Sequence, residues 1–152
     1  MRLPKYRLEA EGSLLVFGFI SQGPKGRIAK KIKFAETRIK GVYNLSFGDL
    51  DPETREIDDR VVSNNGDSEM VLTTVIAAVY AFADRYPEAA VFAKGSTNAR
   101  TRLYRMGITK YMTEIKKDFF VFGGRNEKWG AFEEGIEYDA FLVKRKKLNL
   151  EI

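Results

Sequence analysis

The chain has 152 residues, with 26 Lys and Arg against 21 Asp and Glu for a net charge of +5, and it contains neither His nor Cys. That absence excludes structural zinc sites, Ser-His-Asp catalysis and Cys-His nucleophiles. It leaves Asp, Glu, Tyr and Lys for general acid–base work. Hydrophobic residues at 44% and charged residues at 31% are the composition of a folded chain, and the length suits a single domain over residues 1–152.

The opening stretch Met1 to Arg7 leads into no apolar signal core. The early apolar run Leu14 to Ile20 is far short of the ~20 residues a membrane-spanning helix needs. We therefore expect a cytoplasmic protein without membrane contact. Tyr6 to Ala10 and Leu14 to Ser21 read as a hairpin about Glu11-Gly12-Ser13. Gln22 to Gly26 is a turn or loop, because Gly and Pro break regular structure. Arg27 to Arg38 is expected to be extended, with Ile28, Ile32 and Phe34 as its apolar members. Val42 to Gly48 sets Val42, Asn44 and Ser46 against Tyr43, Leu45 and Phe47, the period of two of a half-buried strand. Asp49 to Asp59 reads as an acidic loop with a short strand after it.

A helix is predicted over 68–86, capped by Asp67 or Ser68, with Glu69 in the first turn where negative charge is favoured. Val75 to Ala83 has no charge, so this helix is expected to be central and covered, and Pro87 ends it. Ala89 to Ala93 follows as a short buried strand. Ser96 or Thr97 then caps a second helix that Gly107 is expected to interrupt, with a further helical turn or two between Thr109 and Lys117. Phe119 to Phe122 and Tyr138 to Lys146 read as closing strands. The result is an α+β fold with a mixed, mostly antiparallel sheet around the central apolar helix.

Several groups of residues are candidates for function. Residues 98, 102, 105 and 109 fall along one helical face, so Arg102 and Arg105 can act together. Arg100, Asn98 and the turn before them add a candidate anion site at the helix start. The alternative is a solvated face paired with Glu114, Asp118 and the acidic loop. Lys25, Arg27, Lys30, Lys31 and Lys33 form an early basic stretch and Lys144 to Lys147 a late one. In a strand, Arg27, Lys31 and Lys33 share a face that can contact nucleic-acid backbone, or can protect a sheet edge. Asp49, Asp51, Asp58 and Asp59 lack the spacing of an EF-hand loop and read as turn residues, so no metal is expected. Trp129 is expected half-buried under a loop, with an exposed recognition ring as the alternative.

The segment Asn98-Ala-Arg-Thr-Arg-Leu-Tyr-Arg-Met-Gly-Ile108 resembles the fourth-helix pattern of the acyl-CoA N-acyltransferase (GNAT) superfamily, with Asn98, Leu103, Tyr104, Gly107 and Ile108 in that order. Four strands, a long helix, a strand, a helix and two closing strands are similar to that superfamily's topology without its two early helices. The resemblance implies a divergent N-acyltransferase using acyl-CoA, with Tyr104 as general acid and Gly66 in the loop that holds the cofactor pyrophosphate. This chain departs from the pattern there: no basic residue leads the loop, and Asp67 and Glu69 stand where the pyrophosphate would sit. The chain also looks like a small uncharacterised bacterial family, on Tyr43 to Asp49, Gly95 to Tyr104 and Phe141 to Lys146. The foremost expectation is a non-enzymatic binding or regulatory module for a protein partner, with no cofactor and with Arg100, Arg102 and Arg105 at its contact surface. A homodimer through an exposed strand edge fits it. The alternatives are nucleic-acid or phosphate-ligand binding, in a toxin–antitoxin setting for example, and the acyltransferase.

Overall fold

The computed structural model describes residues 3–58 and 63–147. Alternation in the first third becomes an antiparallel meander of β1 (Glu9–Ala10), β2 (Val16–Gly23), β3 (Gly26–Glu36) and β4 (Val42–Leu50), with β5 (Ile57–Asp58) paired to the end of β4. The cross-strand register sets Phe17 opposite Ile32, Ile32 opposite Phe47, and Phe34 opposite Leu45. Side chains alternate across a strand, so these apolar residues share one face. The predicted loop at Gln22 to Gly26 is narrower than expected, because Gly23 and Gly26 pair directly.

Helix α1 (Ser68–Arg85) lays its apolar side on that face. Phe82 is fully buried and stacks on Phe34 with ring centroids 4.3 Å apart, while Tyr43 meets Phe82 edge-on. The chain returns through β6 (Ala90–Ala93), which runs parallel to β4 from Val42–Ala90 to Leu45–Ala93. Every other ladder among the described residues is antiparallel. The order across the sheet is β1-β2-β3-β4-β6-β9-β7-β8. Helix α2 (Asn98–Asp118) covers the same face beside α1, with Tyr104 edge-on to Phe47.

Two sequence readings of this region need correction. Gly107 does not interrupt α2, which is continuous from Asn98 to Asp118. A Cβ at Gly107 would lie 3.1 Å from Leu72 Cδ2, so the glycine lets the two helices approach closely. After α2 the described residues also hold three strands rather than two: β7 (Phe119–Arg125), β8 (Lys128–Ala131) and β9 (Ala140–Arg145). The β7–β8 hairpin turns at Asn126 and Glu127, both at positive φ (51° and 64°), as a two-residue hairpin turn of the primed type requires.

Candidate functional site

The starts of α1 and α2 stand side by side above the point where β4 and β6 stop pairing. A cleft of about 330 Å³ opens there, lined by Lys30, Phe47, Ser63, Asn65, Asp67, Thr97, Arg100 and Leu103. Its floor is a polar network inside the fold. Lys30 shares the strand parity of Ile32 and Phe34, so it points inward, and it is buried. Its Nζ donates to Asp49 Oδ1 at 2.6 Å and to Ser63 Oγ at 2.8 Å, and Ser63 Oγ donates to Asp49 at 2.9 Å. Asn65, 2% exposed, accepts from the Lys25 backbone N–H and donates to Ser21 Oγ and the Gly26 carbonyl, which ties the β2–β3 turn to the start of α1.

Asp67 occupies the N-cap position of α1 without capping it through its side chain. Its carboxylate instead accepts hydrogen bonds from Tyr6 at 2.6 Å and Ser21 at 2.5 Å. Burial and this carboxylate push the Tyr6 phenol above its usual pKa. Glu69, in the first turn, accepts from Lys110 Nζ and from the Tyr111 hydroxyl at 2.9 Å. These two donors and the lysine charge hold its carboxyl below the usual range. Gly66 adopts φ 71° beneath Pro24, which accounts for a glycine there in purely conformational terms.

Thr97 caps α2, accepting from the Arg100 N–H at 3.1 Å, and Asn98 is exposed in the first turn. Arg100 turns inward. Its guanidinium lies 4.4 Å from the Phe47 ring centroid and donates to the Phe47 carbonyl, on a stretch of β4 that β6 no longer reaches. The three arginines do not converge. Arg102 is exposed, and Arg105 borders a separate groove with Met106, Thr109, Lys110 and Glu137. Of their expected partners, Glu114 pairs with Lys117 and Asp118 accepts from Tyr80. Tyr104 is buried in the main core, 6% exposed.

Among the acidic-loop residues, Asp49 is held by Lys30, and Asp51 Oδ1 accepts from the Glu53 and Thr54 N–H groups of its own turn. Asp59 lies outside the described residues. Among the described residues, no three or more acidic side chains gather in a way that holds a metal ion. β3 is an interior strand, so Arg27, Lys31 and Lys33 do not protect an edge. Trp129 is 48% exposed and sits on β8, not under a loop. Among the described residues, no helix is long and apolar enough to cross a membrane.

The fold and cleft define an α+β protein whose mixed sheet is helix-covered on one face and whose paired helix starts frame a small polar hollow. The chain belongs to a family of unknown function, DUF6934, whose model matches residues 2–146. No curated protein and no solved structure matches it.

Proposed function

We propose that this chain is a non-enzymatic binding or regulatory module built on a GNAT-like sheet. One parallel strand pair, joined by a long helix and flanked by antiparallel strands, supports that architecture. The observation that carries the non-enzymatic reading is Arg100. Its guanidinium fills the fork between β4 and β6 and takes the Phe47 carbonyl that an extended ligand would need as a partner. At the start of α1, Asp67 and Glu69 would oppose a pyrophosphate where the helix N-terminus would otherwise attract one. Tyr104 packs within the core, edge-on to Phe47, and the cavity it borders is lined by apolar side chains such as Leu45, Leu72 and Phe141, which offer an acceptor amine no polar partner. What the module offers a partner is the rim of the cleft and the flank of α2 that carries Arg102 and Arg105.

Thermal unfolding with excess acetyl-CoA tests this reading. A ligand that binds the native state raises Tm. The expected result is an unmoved Tm and no acetyl transfer to amines. A rise that saturates with acetyl-CoA overturns the reading, and Tyr104→Phe would then test the phenol as general acid.

A further inference from the structure

Both helices lie on one face of the sheet, and the opposite face is bare of them. Strand parity assigns its residues. One register row runs Ala35–Asn44–Phe92–Leu142–Phe122–Ala131 across six strands. Beside it on the same face lie Trp129 over Gly124 on one flank, and Phe120 opposite Lys144 on the other. The Trp129 ring lies flat on β7 because Gly124 has no side chain: a Cβ there would come within 2.8 Å of the ring. Trp129 is 48% exposed and Phe120 is 51% exposed. Phe92 is half-buried, with its ring centroid 6.0 Å from that of Trp129.

The charge on this face is one-sided. Arg27, Lys31, Lys33 and Lys144 have this parity, and no residue of this parity in β2, β3, β4, β6, β7, β8 or β9 is acidic. At the margin, Glu9 lies on β1 and Glu56 pairs with Lys31 at 3.6 Å. Between Lys33 and the rings of β6 to β8 the surface is small-residued, with Ser46 and Ala90, and a polymer backbone can come close there, while Ile57 covers Gly48 farther along β4.

We propose that this open face binds single-stranded nucleic acid, with Lys33 and Lys144 on the phosphates and Trp129, Phe92 and Phe120 stacking bases. Rings lying on a flat sheet can stack only with bases that are free of a duplex. From β3 to β8 the face spans roughly 24 Å at ordinary strand spacing, room for the several nucleotides of a typical stacking platform. A second copy of the chain is the poorer occupant, because self-docking would bring the same lysines against one another. The face lies across the sheet from the cleft, so its failure would leave the cleft reading untouched.

Trp129 is the chain's one tryptophan, so its fluorescence reports this face alone. The test titrates the full chain with oligo-dT and oligo-rU of about 12 nucleotides. Saturable quenching by either supports the proposal, with affinity falling steeply as salt rises. The stronger of the two identifies the natural sugar. By anisotropy of a labelled oligomer, Trp129→Ala should weaken binding about tenfold, while Trp129→Phe keeps a stacking ring and stays within a few-fold. Lys33→Gln with Lys144→Gln should lower the salt slope by roughly 1.4. Absent quenching, quenching equalled by duplex or by polyglutamate, or a fully active and folded Trp129→Ala variant would overturn it.

Discussion

Lys30 and Asp49 face each other across β3 and β4 at 2.6 Å, with side chains only 8% and 12% exposed. The pair is closed by Ser63, whose hydroxyl accepts from the amine and donates to the carboxylate. Each charge is therefore compensated inside the fold, and removing one strands the other.

Asp49→Asn should accordingly cost about 3–5 kcal/mol, since it leaves a buried ammonium without its counter-charge. Lys30→Met combined with Asp49→Leu removes both charges and should cost far less than the single change. Chemical denaturation of the two variants and the parent checks this. Equal losses would mean that packing, not charge, sets the energetics of the pair.

Gly107 and Leu72 should behave as a coupled pair. Gly107→Leu pushes a side chain into the Leu72 methyls and should destabilise by about 1–3 kcal/mol. Adding Leu72→Ala makes room and should recover part of that loss, giving a non-additive double-mutant cycle. A strictly additive cycle would place the strain elsewhere along α2.

Glu69 should shape the acid side of the stability curve. Its folded pKa is lowered by Lys110 and Tyr111, so its contribution is present above the unfolded value and is lost as pH falls through the folded one. Wild-type Tm should therefore drop between about pH 5 and pH 3, and Glu69→Gln should flatten part of that drop. Lys110 is raised by the same partner, so its share is full below its unfolded pKa and fades only at strongly alkaline pH. Melting curves across that acid range decide it.

Much of this fold is visible in the order of side chains. The parity of Phe17, Ile32, Phe34, Leu45 and Phe47 marks the buried face, and the uncharged run within α1 marks the helix that covers it. Lys30 was placeable by the same count, because it falls two residues before Ile32, yet it reads as one of a run of solvated lysines. Gly107 misleads because its helix penalty of about 1 kcal/mol is local, whereas the reason for it, Leu72, lies on another helix. β8 is hidden because all four of its residues are exposed and show no alternation, and its turn uses Asn126-Glu127 in place of Asn-Gly. The cleft is least legible. Ser63 meets Lys30 across 33 residues, and Arg100 meets Phe47 across 53. No local pattern carries a contact of that reach.

The parallel pairing of β4 with β6 has a consequence for how the chain reaches this state. The meander β1–β4 and the group β7, β8 and β9 are each held by pairings close in sequence. Strand β6 joins the two, through four residue pairs to β4, Val42–Ala90 to Leu45–Ala93, and four to β9, Ala90–Lys144 to Ala93–Phe141. Each of these seams closes a loop on the order of 50 residues, an entropic cost that the more local pairings escape. Assembly is thus ordered by topology: the two local groups form early, and β6 stitches them late between α1 and α2. Under tension or partial denaturation, the sheet divides first along β6.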